Sequence, residues 1–458
     1  MVLSNPLVPF VIGVVAVVLL LVWLKLPAFV GLILAAMAIG IATPELPFAT
    51  VPEELAEAFG DTMVDIGIPI LMAAIIGKCL MDSGAAERVV RAFLSITGED
   101  NSEYALLGSS YVLSIPVFFD NVFYLLAPLA RSMKARTGVK YSLYISVLAS
   151  GALATHMLVP PTPGPLAAAG SLGVDLGLAI LIGAMVALPA SLLAGIVYGT
   201  YLHGREDFPL RDAMGSTPES LEEKAETPTA QLPGLFESGM PILLPVVLIA
   251  SSTIANALAE QGVLAEGGSL VQLTTFVGNA NFALTAAAMA AAFTLYRLEI
   301  GDREEFSEEL TEALKSGGNI IAITAAGGTF GAMLAAAGVG EYIAEGLAAL
   351  GISLLIAGWL IAAVIRVAQG SATVAILTGA SIMAPLLDAL AAHPVYMLMA
   401  VGCGAMIAPW YNDSGFWIIS EVAGITQVET FKTYSATATI MSITGLVMVL
   451  VLSTVLPF

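Results

Sequence analysis

Long apolar runs separated by short polar segments dominate this chain. A helix needs roughly 20 predominantly apolar residues to cross a bilayer, and repeated runs of about that length predict an all-α polytopic membrane protein. The first run has no basic region before it and no small-residue cleavage site, so we interpret it as a retained helix and not a signal peptide. The clearest runs are residues 7–24, 66–81, 174–202, 241–258, 282–296 and 434–456.

Basic residues occur in only some of the connections between these runs. Arg131, Lys134, Arg136 and Lys140, for example, cluster in one short segment. Because cytoplasmic loops carry an excess of Lys and Arg, we assign the basic connections to the cytoplasm and those without any basic residue to the exterior. The connections without Lys or Arg lie near residues 43–60, 161–175, 259–269, 338–352 and 388–394.

Two apolar segments return to the side from which they start. Residues 101–131 begin and end on the predicted cytoplasmic side, whereas residues 353–388 begin and end on the predicted external side. We therefore expect two re-entrant hairpins that enter the membrane from opposite faces. Non-helical tips at membrane depth are tolerated where protein or a water-filled cavity satisfies the backbone.

A weak internal repeat agrees with this charge map. SGAAER at residues 83–88 is similar to AGVGEY at residues 337–342, and the two copies lie on opposite predicted sides. Such inverted repeats are common in secondary transporters. The first predicted repeat spans residues 1–202, with a hairpin at about 101–131 and a broken helix at about 141–170. A polar cytoplasmic linker follows at 203–237. The second predicted repeat spans residues 238–458, with a hairpin at about 353–388 and a broken helix at about 394–420.

The predicted breaks and hairpin tips bring polar side chains into apolar surroundings. Four prolines within residues 160–165 exclude a regular helix there, and interrupted helices leave free N–H groups that favour an anion. We predict a site for a polyhydroxylated ligand that carries a carboxylate; the alternative for each hydroxyl group is a bond to the backbone of a broken helix. The predicted substrate contacts are Asp120, Asn121, Thr155, His156, Thr162, Gln369, Ser371, Thr373, Asn412, Asp413 and Ser414.

Three of these residues are also candidates for ion coupling: Asp120, Asp413 and His156. A carboxyl group removed from water accepts a proton more readily, and histidine can relay protons, although a structural role is an equal alternative. Arg366 has two possible roles. It either pairs with an acid of the protein or holds the substrate carboxylate in a bidentate fork.

Composition excludes several other functions. A net charge of −20 with only 16 Lys and Arg argues against nucleic-acid binding. The acidic loops are typical of a protein from a cell with a salt-rich cytoplasm. The plainer alternative is that the acidic residues simply keep the loops soluble. Cys79 and Cys403 form no metal motif or disulfide framework, and the absence of a phosphate-binding GxxxxGK[ST] loop leaves direct use of ATP unsupported. We expect no cofactor and no metal.

Several motifs resemble those of the gluconate permease (GntP) family. Residues 115–128 read IPVFFDNVFYLLAP, residues 155–169 read THMLVPPTPGPLAAA, residues 366–378 read RVAQGSATVAILT, and residues 412–417 read NDSGFW. The resemblance implies an ion-coupled symporter for gluconate or related small hydroxy-carboxylates, a homodimer, and a transport part that moves against a scaffold as an elevator. The chain departs from the family pattern at Asn121-Val122, where an apolar residue and Gly are expected, at Met157, where Gly is common, and at Thr162, where His is common.

We therefore predict a multi-pass permease of a bacterial inner membrane or archaeal cell membrane. It would take up a sugar acid by proton symport, with a sodium-coupled carboxylate symporter as the alternative. A channel would need a continuous pore, and opposed hairpins favour alternating access instead. An intramembrane enzyme would need a catalytic motif around Asp120 and Asp413, and none is recognised.

Overall fold

The chain is helical throughout the part that the computed structural model describes, which comprises residues 7–98, 101–211, 213, 232–265, 267–300, 302–338, 353–411 and 413–458. Helices α1 to α10 span Leu7–Val17, Ala28–Ala42, Val51–Asp82, Ala85–Thr97, Ser102–Leu113, Phe119–Thr137, Tyr141–Leu158, Pro163–Ser171, Leu176–Ser191 and Tyr198–Arg205. π-helical turns at Val18–Trp23 and Leu192–Val197 follow α1 and α9.

The second half continues in the same manner. Helices α11 to α20 span Leu235–Glu260, Ser269–Gly278, Ala280–Leu295, Arg303–Ala336, Leu354–Gln369, Ala372–Met383, Pro394–Gly404, Ser414–Ala423, Gln427–Thr430 and Ala436–Val455. π-helical turns lie at Tyr296–Ile300 and Phe431–Ser435, and a 3₁₀ helix lies at Ala384–Ala389. We call α5 and α6 the first hairpin, and α15 and α16 the second hairpin. In both halves the hairpin is followed by a helix, a break, a short helix and a long apolar helix.

Six helical stretches among the described residues are long and apolar enough to cross a membrane, and the number rises to eight if each of two bent pairs counts as one span. One bent pair divides α3 into Val51–Val64 and Gly67–Asp82, with an angle of 48°. The run predicted at residues 66–81 is thus the second part of a longer helix. The other pair bends by 61° between α12 and α13. The predicted class, an all-α membrane protein, is confirmed.

The molecule contains two main hydrophobic cores and one small cluster. The larger core contains α7 and α17, which are buried along almost their whole length. The smaller core joins α1, α2, the start of α3 and the end of α14, with Leu32, Ile39 and Phe330 fully buried. A third, small cluster lies between them and contains Ile70, Leu166, Ala167, Ile321 and Leu377. The pair of long helices α3 and α14 thus faces α8 and α16 across this small cluster.

The predicted linker is shorter than expected at both ends. α10 continues to Arg205, and α11 begins at Leu235. The residues that follow α10 pack against the protein, since the side chain of Phe208 is only 1% exposed. The composition of residues 203–237 predicts a polar linker. Composition alone gives no information on tertiary contacts such as the burial of Phe208. Residues 212 and 214–231 lie outside the described part of the chain.

Ion pairs hold this docked segment to both halves. Lys134 on α6 lies 2.6 Å from Asp207. Arg211 forms two hydrogen bonds with Glu429 on α19, of 2.6 and 2.9 Å. The buried guanidinium of Arg131 donates to the backbone carbonyl groups of Ala423 and Arg211. Because α6 belongs to the first half and α19 to the second, residues 206–211 tie the two halves together at one end.

Candidate functional site

A cavity of about 360 Å³ lies where the two hairpin tips meet the break after α7. We call it the hairpin cavity. Its walls come from the start of α6, the end of α7, the start of α8, the middle of α14 and the start of α16. The residues that line it are Phe118, Phe119, Asp120, Asn121, His156, Pro163, Asn319, Ile320 and Thr373.

The tip of the first hairpin places its polar residues in the first turn of a helix. α5 ends at Leu113, and extended backbone at Phe118 starts α6. The first backbone hydrogen bond of α6 runs from the Val122 N–H to the Phe118 carbonyl. The N–H groups of Phe119, Asp120 and Asn121 therefore precede the helical hydrogen-bond ladder, as in any helix N-terminus. The carboxyl of Asp120 and the amide of Asn121 both reach the hairpin cavity.

The tip of the second hairpin is a sharp turn at glycine. Gly370 has φ = 94°, in the left-handed region that favours glycine, and it ends α15. Ser371 then caps α16 by accepting a hydrogen bond from the Val374 N–H over 3.3 Å. Thr373, in the first turn of α16, lines the hairpin cavity, whereas Ser371 does not. Gln369 is the last residue of α15, and its side chain lies outside the described part.

The break in the predicted broken helix comprises only residues 159–162, since α8 already begins at Pro163, within the proline-rich residues 160–165. α7 runs to Leu158, so Thr155 and His156 lie in its last turn and not in the break. Thr155 donates a 2.8 Å hydrogen bond to the Tyr111 carbonyl, and Thr162 donates one of 2.7 Å to the Val159 carbonyl. Both threonines are buried and neither lines the cavity. Thr162 thus bonds the backbone of the break, which is the alternative role given above, whereas Thr155 joins the end of α7 to the last turn of α5.

His156 does line the hairpin cavity, in contrast to Thr155 beside it. Its ring packs edge-on against Phe118, with 6.3 Å between the ring centroids. Its Nδ1 atom is buried and has no hydrogen-bond partner among the described residues. A buried polar atom without a partner is costly, so His156 has hydrogen-bonding capacity available for a ligand or an ordered water molecule.

A buried ionic network lies outside the cavity lining and joins the second hairpin to the break between α17 and α18. Arg366 donates to Asp413 over 2.5 Å and also to the carbonyl of Gly370. Tyr434 donates to the same Asp413 oxygen over 2.8 Å. The other Asp413 oxygen accepts the Gly415 N–H over 3.0 Å and caps α18. Of the two roles considered for Arg366, the structure contains the internal pair with Asp413.

The structure thus divides the residues that the sequence predicts for the site. Asp120, Asn121, His156 and Thr373 come together around the hairpin cavity. Thr155, Thr162, Ser371 and Asp413 are engaged in hydrogen bonds within the protein, and Ser414 is exposed at the start of α18. Asn412 lies outside the described residues. Asp120 and Asp413 lie close enough for their charges to interact.

Two polar residues at or near the site are missing from the sequence-based set. Asn319 lines the hairpin cavity from the middle of α14. The adjacent pair Gly317-Gly318 in an otherwise helix-forming run is the signal that could have drawn attention to it. Tyr434 donates to Asp413, and its sequence surroundings do not indicate a buried carboxylate as its partner. Among the described residues, no group of three or more His, Cys, Asp or Glu side chains could hold a metal ion.

Comparison with known protein families gives one consistent result. The model for "GntP family permease" matches residues 5–455. The chain is 32% identical to a gluconate permease of Pseudomonas aeruginosa, with 97% of both chains covered. It is 32% identical to the high-affinity gluconate transporter of Escherichia coli (98% of this chain, 100% of the relative) and 30% identical to the Gnt-II system L-idonate transporter of the same organism (98% and 100%).

A solved structure supports the fold independently. The match is to MtrF of Neisseria gonorrhoeae, described as illuminating a class of antimetabolite efflux pumps, with a TM-score of 0.64 over 89% of this chain and 85% of that one. At 16% identity this likeness concerns the fold alone. Taken with the apolar helices, the sequence matches show a multi-pass transport protein of the plasma membrane and not an enzyme.

Proposed function

Since this chain belongs to the GntP family of permeases, we propose that it takes up gluconate or a closely related sugar acid together with a proton. The names of its relatives support a sugar-acid substrate. The hairpin cavity supplies a place for such a ligand. Its volume of about 360 Å³ falls in the usual range for small-molecule sites.

The main observation in support of this proposal is that three helix N-termini meet at the hairpin cavity. Phe119–Asn121 begin α6, Pro163 begins α8 and Thr373 lies in the first turn of α16. Unbonded N–H groups at the starts of α6 and α16, and the positive end of each helix dipole, favour an anion at such positions. Pro163 carries no N–H, so α8 contributes mainly through its dipole. In the proposed complex these three helix ends bind the carboxylate of the sugar acid.

The hydroxylated part of the substrate needs neutral hydrogen-bonding partners. Asn121, His156 and Thr373 offer an amide, an imidazole with an unpartnered nitrogen, and a hydroxyl group. These groups donate and accept without adding a fixed charge. Ligands that carry hydroxyl groups as well as a carboxylate therefore satisfy more of this cavity than a simple fatty acid would.

Asp120 is the proposed proton carrier. It is the one acid among the residues that line the hairpin cavity, and the substrate is itself an anion. Two negative charges in one small cavity repel each other, so substrate binding favours the protonated form of Asp120, and protonation favours substrate binding. This reciprocal effect makes joint occupancy favourable, and symport follows if the carrier loaded with only one of the two does not change its access. Asp413 suits the role less well, since its protonation would leave the buried Arg366 without a counter-charge.

Alternating access through two inverted repeats forms part of the proposal. The matching order of elements supports it: α5 to α10 and α15 to α20 both run hairpin, helix, break, short helix and long apolar helix. We propose that the hairpins and broken helices move together, as an elevator, against a scaffold that contains α1, α2, α3 and α14. A homodimer would anchor this scaffold in the membrane.

Uptake by purified protein in proteoliposomes tests this proposal. Radiolabelled gluconate should accumulate when an inward proton gradient is imposed, and unlabelled gluconate or L-idonate should compete. Accumulation should not require sodium. Failure of the protein to move gluconate or any competing sugar acid would contradict the substrate class. Accumulation that follows an imposed sodium gradient, with no response to the proton gradient, would contradict the choice of ion while leaving the substrate class in place.

A further inference from the structure

One wall of the hairpin cavity differs in origin from the others. Asp120, His156, Pro163 and Thr373 all come from the hairpins and the first broken helix. The facing residue Asn319, with Ile320 beside it, comes from α14. The end of this helix packs in the smaller core with α1, α2 and the start of α3, and Val374 and Ile382 of α16 join the same core.

Close contact with α3 fixes the orientation of Asn319. A Cβ atom placed on Gly317 would lie 3.1 Å from Cβ of Ala74 and 3.3 Å from Cδ2 of Leu71, so the two helix backbones approach closely there. Residues two apart on an α-helix point about 200° away from each other. Asn319 therefore faces away from α3, and it is exposed at the cavity instead of being buried between the helices.

Packing farther along α14 supports the same orientation. A Cβ atom on Gly328 would overlap the Thr62 side chain of α3. Phe330, near the end of α14, is fully buried in the smaller core. Close contacts at Gly317 and Gly328 thus hold α14 against α3 on both sides of Asn319. The Cα–Cβ bond of Asn319 therefore points towards the cavity unless the whole helix shifts.

We propose that Asn319 is a specificity-determining residue that recognises a hydroxyl group of the substrate. This inference rests on the proposed function. The helix N-termini that favour the carboxylate lie on the hairpin and broken-helix walls, where Asn121, His156 and Thr373 serve the hydroxyl groups near it. The end of the ligand farther from the carboxylate, with its own hydroxyl groups, therefore faces α14. A primary amide both donates and accepts a hydrogen bond and therefore suits a hydroxyl group. Sites that bond a substrate hydroxyl discriminate strongly against analogues that lack it.

Exchange kinetics with monodeoxy analogues of gluconate test the assignment. Exchange of external for internal substrate needs no ion gradient, so the readout is independent of coupling. We expect Asn319→Ala to raise the KM for gluconate roughly 3- to 10-fold, the effect of one lost hydrogen bond. For one monodeoxy analogue, wild type and Asn319→Ala should have nearly the same KM, because that analogue lacks the hydroxyl group that Asn319 would bond. The maximal rate should stay within about twofold of wild type.

Gly318→Ala is the matched control, because Gly318 adjoins Asn319 and a Cβ atom there would meet nothing within 4 Å. Its KM for gluconate should equal that of wild type, and no variant should melt below wild type, since alanine favours a helix more than glycine or asparagine does. An unchanged KM in Asn319→Ala would overturn the inference, and so would a rise of equal size for gluconate and every deoxy analogue. A wild-type protein that exchanges no sugar acid at all would overturn the proposed function, and this inference with it.

Discussion

Arg366 donates a 2.5 Å hydrogen bond to Asp413, which joins the last turn before the second hairpin tip to the break between α17 and α18. The side chains of these residues are only 2% and 8% exposed, and Tyr434 donates to the same carboxylate. The two acids of the predicted site therefore have different surroundings. Asp413 is neutralised by a buried partner, whereas Asp120 lines the hairpin cavity.

Removing only the Asp413 charge should lower the stability of the protein more than removing the charges of Arg366 and Asp413 together. Asp413→Asn alone leaves the buried guanidinium of Arg366 without a counter-charge, at a cost of about 3–5 kcal/mol. The double variant Arg366→Gln/Asp413→Asn should recover part of that loss. Denaturation midpoints of the single and double variants in detergent give the comparison. Losses that simply add in the double variant would show that the two side chains do not interact.

Thr373 and Thr155 should respond in opposite ways to the same substitution. Thr373→Ala removes a hydroxyl group from the cavity wall and should raise the KM for gluconate roughly 2- to 10-fold, with little change in melting temperature. Thr155→Ala leaves the Tyr111 carbonyl without its donor and should lower stability by on the order of 1 kcal/mol. Its KM should stay unchanged. Exchange kinetics and thermal melting on both variants separate the two roles, and the reverse pattern would contradict the site.

The opposed orientation of the hairpins can be tested by cysteine labelling. Asn101 precedes α5 and Ala391 follows the second hairpin, and both are exposed. Both native cysteines are buried, so a membrane-impermeant maleimide should give little background. We expect Asn101→Cys to react only from the cytoplasm and Ala391→Cys only from outside. Reaction of both positions from the same side would contradict the inverted arrangement.

The docked segment at residues 206–211 should make stability depend on pH through Asp207. Burial alone would raise the pKa of this carboxyl, but hydrogen bonds from Lys134 and from the Ser142 backbone N–H lower the pKa below its usual value. A lowered pKa in the folded state means that the stabilisation is complete above the unfolded value of about 3.9 and is lost as pH falls through the folded value.

Asp207→Asn should therefore lower the melting temperature at neutral pH by removing the charge that pairs with Lys134. At about pH 5 the wild-type carboxyl is still ionised, so the difference from wild type should be fully present there. Below about pH 4 the difference should shrink as the wild-type carboxyl is protonated. A difference that grows between about pH 5 and pH 3 would contradict the assigned contacts.

The helical class and the family follow from the sequence because long apolar runs and the proline-rich break are local properties of the chain. The same holds for the polar residues at the hairpin tips, where Asp120, Asn121 and Thr373 do line the cavity. Interruptions in apolar helices are recognisable from Pro and Gly alone. A permease of this family can thus be recognised, and some residues that line the hairpin cavity can be selected, without a structure.

Other parts of the site depend on contacts between distant segments. The sequence does not reveal whether the Thr155 hydroxyl turns to a ligand or to the Tyr111 carbonyl, because that depends on how α5 packs against α7. Asn319 was missed for a related reason. A role for a single amide in a long helix can be inferred only once α14 is known to lie opposite the hairpin tips. The docking of Phe208 likewise depends on tertiary contacts.

Proton entry driven by substrate tests the central claim most directly. Proteoliposomes that contain a pH-sensitive dye and no imposed gradient are given external gluconate, with the membrane potential clamped near zero. Wild-type protein should acidify the lumen as gluconate enters, whereas Asp120→Asn should exchange labelled gluconate without any acidification. Gluconate entry with no proton movement in the wild type, or full acidification by Asp120→Asn, would contradict proton symport through Asp120.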